Sequence, residues 1–323
     1  MPTPTGQFEI RVTTHKRPDL LGRALRSLVA QTFPDWHAVV LDDDLERSAE
    51  DVVKEMADPR IHYHPNAKNL GCTQNINQAF RAEPFLGGSY ACILEDDNVW
   101  FPDFLERAQR IFAEQKINLV LLNGEYWKQE ADAYSRIGTH TLAYDEGLVQ
   151  PVTIYAHTIV STGLGNAGLV WRLGCRSVLD TKNWVTSSTA SERLRGLGIV
   201  EPVWFEKAPA FAFTIFPERP DPVQTNHVRR AIVRENRAIT ESALRVGEAD
   251  ILEACRLAED SFQLWGRFPE RVFEARPIRS LFFGVGPQKK PSVAQWAKMV
   301  AINLSFPNPL ARWAPPPGGM RHE

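Results

Sequence analysis

Ile93-Leu94-Glu95-Asp96-Asp97-Asn98 closes an apolar run that starts at Tyr90, and three carboxylates follow one another where the run stops. Five apolar residues bounded by polar ones read as a buried strand. Side chains of a strand alternate, so Glu95 and Asp97 are expected on one face and Asp96 on the other. Adjacent acids at the end of a buried strand repel each other and call for a counter-charge. A hard divalent cation supplies one, because Mg²⁺ is bound through one or two carboxylates and completes its shell with water and substrate phosphates. The competing reading is a solvated acidic turn, which is common at strand ends.

Outward from this turn, residues 8–124 alternate strand and helix signals. Phe8–Thr14 reads as a strand broken by His15-Lys16-Arg17-Pro18, with Asp19 placed to cap a helix. Leu20, Leu21, Ala24, Leu25, Leu28 and Val29 recur at helical spacing. His37–Leu41 reads as a second strand closing on Asp42-Asp43-Asp44, Ser48–Met56 as a helix, Ile61–His64 as a third strand and Thr73–Ala82 as a helix. After the acidic turn, Pro102–Gln115 reads as a helix with proline in its first turn, and Leu119–Leu122 as a strand. Such alternation predicts βαβ units and a mostly parallel sheet. Open sheets of this kind bind ligands at the carboxyl ends of their strands, where Thr13–Arg17, Asp42–Asp44 and Glu95–Asp97 all fall. No GxGxxG follows the first strand and no GxxxxGK[ST] occurs, which disfavours a dinucleotide fold and excludes a P-loop.

Beyond 124 the rhythm loosens. Thr162–Gly168 is a glycine-rich loop before a strand at Leu169–Trp171, Ser191–Leu197 reads as a helix with Glu192 in its first turn, and Phe211–Phe216 reads as a strand. Pro217–Pro222 marks a boundary. Residues 228–262 read as charged amphipathic helices, and the Pro/Gly-rich tail from Ala314 reads as flexible.

The 323 residues carry 37 basic and 39 acidic side chains, a balance that points to no nucleic-acid partner. Four cysteines, none in a CxxC pair, fit no zinc site or disulfide framework, and free thiols suit a reducing cytoplasm. MPTPTGQFEI lacks the layout of a signal peptide, and no apolar run is long enough to span a bilayer. Val293–Phe306 reads as a core helix, with a peripheral membrane contact as its alternative.

These residues resemble the family 2 glycosyltransferases, which have the GT-A fold. The resemblance covers roughly residues 8–220. It rests on Thr14-His15-Lys16-Arg17-Pro18, Ser27-Leu28-Val29-Ala30-Gln31-Thr32, Leu41-Asp42-Asp43, Asn69-Leu70-Gly71 and Glu95-Asp96-Asp97, in that order. It implies a GT-A domain over 1–220, with a nucleotide-binding half at about 8–124 and an acceptor half at about 125–220, followed by a helical extension over 221–323. It also implies an inverting, metal-dependent transfer from a nucleoside-diphosphate sugar to an acceptor hydroxyl. Thr13, His15 and Arg17 would line the nucleoside pocket, with Asn69 beside them, and Asp42 or Asp43 would bond the base. Asp96 would face the ribose, and Asp97 would ligate Mn²⁺ or Mg²⁺, with His227 as a further ligand.

Two departures stand out. The first strand carries Arg11, and the family's Glu-Asp pair, whose Asp deprotonates the acceptor, has no counterpart near 180–200. Glu192 is the expected base, with Asp180 in reserve. The missing pair motivates a rival reading, a sugar-nucleotide-binding protein without catalysis. A sugar nucleotidyltransferase is the other rival, although Thr13–Pro18 lacks the glycines it would want.

Overall fold

The computed structural model describes residues 7–216, apart from 131–132, 140–143, 161–163, 182–184 and 186–187, together with positions 242, 246, 250, 253, 254 and 257. The expected boundary at Pro217–Pro222, His227, the 228–262 helices, Val293–Phe306 and the tail lie outside the described residues or on isolated positions among them. Two compact units are distinguished. The first comprises residues up to 151 with 165–188 and 199–223; the second comprises 152–164, 189–198 and the residues from 224 onward.

The first unit is built on a ten-stranded mixed sheet. Along it, in spatial order, run β3 (Ile61–Pro65), β2 (Trp36–Asp42), β1 (Phe8–Thr14), β4 (Tyr90–Glu95), β9 (Leu169–Arg172), β6 (Leu119–Glu130), β10 (Val203–Ile215) and β5 (Val99–Trp100); β7 (Ala133–Thr139) pairs with β6 and β8 (Gly147–Val149) with β10. The block β3-β2-β1-β4 is parallel, so the strands all end on one edge, with Thr13 beside Leu41 on one side and Glu95 on the other. All seven residues of β1 and of β2 are buried, as strands covered on both faces must be.

Helices α1 (Pro18–Val29), α2 (Ala49–Met56), α3 (Cys72–Ala79) and α4 (Phe104–Gln115) connect these strands. In α1, Leu21, Ala24, Leu25 and Leu28 are buried and meet a core that includes Phe8, Ile10, Val12, Trp36 and Leu94. Its N-cap is Arg17, with proline in the first turn, so the expected cap Asp19 is instead a first-turn acid that complements the helix dipole. Likewise α4 starts at Phe104 with Asp103 as N-cap, leaving Pro102 outside. There Pro102 O accepts the amide of Thr32, which anchors the end of α1 to the start of α4.

Strand β6 runs on from the expected Leu119–Leu122 through twelve residues to Glu130 and turns back into β7. β10 starts eight residues before the expected Phe211 and pairs in parallel with β6, with register shifts near Pro209. Two glycines are required by this packing. A Cβ at Gly168 would stand 2.1 Å from Leu122 O, and one at Gly124 would stand 2.5 Å from the Phe211 ring.

The second unit contains α5 (Pro151–Val160) and α6 (Ser188–Leu197) among its described residues. Gly196 of α6 faces Thr158 of α5, whose Oγ1 would lie 2.3 Å from an added Cβ, and that hydroxyl donates to Ile154 O. Because α6 starts at Ser188, Glu192 is its fifth residue and lies past the first turn, contrary to the sequence expectation. No described helix is long and apolar enough to cross a membrane.

Candidate active site

The parallel strands deliver their polar ends to one place. β1 finishes in a tight turn in which Lys16 takes a left-handed conformation, φ 55°. That turn folds over the acidic turn after β4. The Asp96 amide donates to Thr13 O at 3.1 Å, and Thr14 Oγ1 donates to Asp96 Oδ2 at 2.8 Å. The backbone amide of His15 also donates to the Asp96 carboxylate, while the His15 side chain is exposed.

A counter-charge to the acids is Arg17, where the sequence pointed to a divalent cation and placed Arg17 in the nucleoside pocket. Its Nη1 donates to Asp96 Oδ1 at 3.2 Å and to Asp97 Oδ2 at 2.8 Å. One guanidinium reaches both carboxylates because β4 ends at Glu95. The strand alternation expected to separate Asp96 from Asp97 therefore does not extend to them. Burial, followed by the charge of Asp97, pushes the Asp96 carboxyl up to about 6, against the pull of Arg17, Thr14 and the His15 amide. Burial lowers the Arg17 pKa, but Asp96 and Asp97 outweigh it and the guanidinium is raised overall. The side chain of Asp96 is 7% exposed and that of Asp97 24%. Asp96 thus forms the floor of the turn and Asp97 its accessible acid.

Asp42 and Asp43 are both buried. Asp42 accepts from the Asp44 amide through Oδ1 and from the Tyr63 hydroxyl through Oδ2. Asp43 Oδ1 accepts the Leu70 amide at 2.7 Å and Asn66 Nδ2 at 2.9 Å, and Oδ2 accepts the Gly71 amide at 2.8 Å. Asn69 is exposed and donates to Asp43 O. The second strand end therefore organises the 66–71 loop beside the first. Asn75 of α3 completes the frame by donating to Thr14 O and Leu41 O. Sequence reading passed over Asn75, since an Asn within a helical stretch carries no motif of its own.

Asn98, quoted with the acidic turn but given no role there, and Arg23, which went unremarked, both brace the turn. Asn98 donates through Nδ2 to Glu95 Oε2, and its Oδ1 accepts the Thr214 amide at 3.4 Å. Arg23 reaches from α1 to Asp97 O at 2.6 Å and to Thr214 Oγ1 at 2.7 Å.

Asp180 is exposed in the loop after β9, next to Thr181, which is bound to Asn77 of α3. Glu192 belongs to the second unit and is described within it alone. Of the tryptophans in this half of the chain, Trp171 is core, stacked on Phe80, and Trp127 donates to Glu125. Trp184 lies outside the described residues.

No group of three or more His, Cys, Asp or Glu side chains suited to an ion occurs among the described residues. The donor set nonetheless fits a Mg²⁺- or Mn²⁺-type ion, which takes one or two protein carboxylates and draws the rest from phosphates and water. Asp97 offers one accessible carboxylate, backed by an acid whose burial disfavours its own charge.

A family model described as glycosyl transferase family 2 matches residues 10–166, which hold the carboxyl ends of β1, β2 and β4. Those residues belong to glycosyl transferase family 2. Among relatives, Protein CgeD of Bacillus subtilis (strain 168) is 30% identical over 134 residues, covering 37% of this chain and 32% of that protein. The UDP-Glc:alpha-D-GlcNAc-diphosphoundecaprenol beta-1,3-glucosyltransferase WfgD of Escherichia coli is 26% identical over 106 residues, covering 33% and 40%. The matches thus span less than half the length of these relatives. Among solved structures, S. aureus TarS 1-349 superimposes with a TM-score of 0.61 at 15% identity, covering 92% of this chain and 79% of that one. The same protein in complex with UDP gives 0.59 at 14%, covering 92% and 78%. This likeness establishes the GT-A fold, a mixed α/β sheet flanked by helices.

Proposed function

We propose that the chain is an inverting, metal-dependent glycosyltransferase that moves a sugar from a nucleoside-diphosphate sugar to an acceptor hydroxyl. The single observation that carries this reading is the turn at Glu95–Asp97. There a buried Asp96 and an accessible Asp97 meet Arg17 at the edge where the parallel strands end. The relative WfgD, named for a UDP-Glc donor, supports UDP as the first nucleotide to try.

In this reading Asp97 holds Mn²⁺ or Mg²⁺, which when bound offsets charge on the departing diphosphate. Arg17 adds a fixed positive charge at the same turn. Thr13, His15 and Asn69 border the nucleoside, and Asp42 and Asp43 shape that border through the 66–71 loop whose amides they hold. Glu192 accepts the proton of the acceptor hydroxyl as its oxygen attacks the anomeric carbon, with Asp180 as the alternative base.

A thermal-shift screen of nucleoside diphosphates with and without Mn²⁺ tests the donor half, since a ligand of the folded state alone raises the melting temperature by mass action. The expected result is one base that stabilises only with metal. Stabilisation by none of them overturns the reading. Release of nucleoside diphosphate from the matching sugar nucleotide then separates an enzyme from a binding protein.

A further inference from the structure

The geometry points to Arg23 as a positioning residue that fixes the backbone of Asp97 and thereby aims its carboxylate; this rests on the nucleoside-diphosphate reading above. Arg17 is the N-cap of α1 and Arg23 lies in its second turn, yet they hold Asp97 at opposite ends. Arg17 takes the carboxylate oxygen, a contact that any cation at Asp97 competes with. Arg23 takes the main-chain carbonyl, which no ligand of the carboxylate displaces.

The Arg23 guanidinium is itself held through one nitrogen, Nη2, and by an aromatic ring. Thr214 Oγ1 of β10 accepts from the same Nη2 that bonds Asp97 O, and the Tyr134 ring of β7 lies 4.1 Å from its Cζ. Asn98 repeats the link, since Asn98 Oδ1 accepts the Thr214 amide while its Nδ2 donates to Glu95. The acidic turn is therefore tied to β10 at two points, and Arg23 is the one that acts on the accessible acid. Groups that orient a ligating carboxylate govern affinity for the ion without touching it.

The test titrates Mn²⁺ against binding of UDP, GDP, ADP and CDP, using the full chain and following whichever diphosphate the wild type takes by calorimetry. Arg23→Met should move the Mn²⁺ midpoint up by about 10–100-fold, with full binding recovered at saturating Mn²⁺. Affinity for the free nucleoside should stay unchanged. Arg23→Lys, which keeps a charged donor on a shorter reach, should fall between. If Arg23→Met does not fold, Arg23→Lys and Thr214→Val carry the test. A lowered melting temperature with an unmoved Mn²⁺ midpoint makes Arg23 merely structural and overturns the inference. A wild type that binds no diphosphate removes the functional reading and this inference with it, a result distinct from an unmoved midpoint.

Discussion

Thr14 Oγ1 donates to Asp96 Oδ2 at 2.8 Å, joining the last residue of the first strand to an acid 82 positions later. This bond fixes the β1 turn over the acidic turn, and its removal is the most local probe of the frame. Thr14→Val keeps the shape and deletes the donor to a buried carboxylate. The expected loss is about 1–3 kcal/mol of stability, read from the denaturant midpoint at pH 7. A variant as stable as the wild type would show that Arg17 and the His15 amide suffice.

Asp97→Asn should leave the fold intact and abolish the Mn²⁺ dependence of nucleoside-diphosphate binding, because the amide keeps the size and loses the charge. Calorimetry with and without Mn²⁺ reads this directly. An unchanged dependence would remove Asp97 as the ligand.

Glu192→Gln should lower turnover by about 10²–10⁴ with donor affinity barely altered, as expected for a group that only takes up the acceptor proton. Wild-type turnover in the variant would pass the role to Asp180. Lost donor binding would show that Glu192 is structural.

The buried pair in β1 sets an acid limit. Glu9 and Arg11 are both fully buried, 2.7 Å apart. Glu9 also accepts the amides of Phe85, Leu86 and Gly87, and Arg11 donates to the carbonyls of Ala79 and Arg81. Burial alone would raise the Glu9 pKa; His37, Arg11 and the amides of Leu86 and Phe85 reverse that and bring it from 4.5 to about 2. A folded pKa below the unfolded one adds stability above the unfolded value, lost as pH falls toward the folded one. The contribution should therefore be complete above pH 4.5 and disappear toward pH 2. In urea titrations the stability gap between wild type and Glu9→Gln should narrow across that window. A constant gap would refute the assignment.

Two glycines should differ in cost. At Gly168 the obstacle to a Cβ is the Leu122 carbonyl oxygen, and at Gly124 it is the Phe211 ring. Backbone cannot step aside as a side chain can, so Gly168→Ala should be the more destabilising, by about 1–3 kcal/mol or more, and Gly124→Ala the less. Equal melting temperatures for the two variants would contradict this.

Much of residues 8–124 was legible because its strands are short apolar runs closed by polar turns. Phe8–Thr14 and Tyr90–Leu94 kept their limits to within one residue, and the polar residues after them fell on the shared edge. The β6–β7 hairpin was not legible. Asn123–Glu130 is polar, and no Asn-Gly or Asp-Gly marks the turn, so nothing local indicates a strand that exists through its pairing with β10 and β7. Arg11 looked out of place because its partner Glu9, two residues away on the same face, is recognisable only once both are buried. Arg17 was read as a pocket residue, and its bridge between two carboxylates depended on where β4 stops. Arg23 gave no signal at all, since an arginine in an amphipathic helix ordinarily faces water.

Arg17 and Arg23 hold Asp97 from one helix, and this makes the spacing between them a measured length. Arg17 caps the helix and Arg23 is its sixth residue, so the turns from Pro18 onward, about 100° for each residue, set where Arg23 points. One residue inserted or deleted between Pro18 and Gly22 would swing Arg23 away from Asp97 O while leaving Arg17 in register. Among sequences built on this frame, substitutions can accumulate along that stretch, but its length should not change.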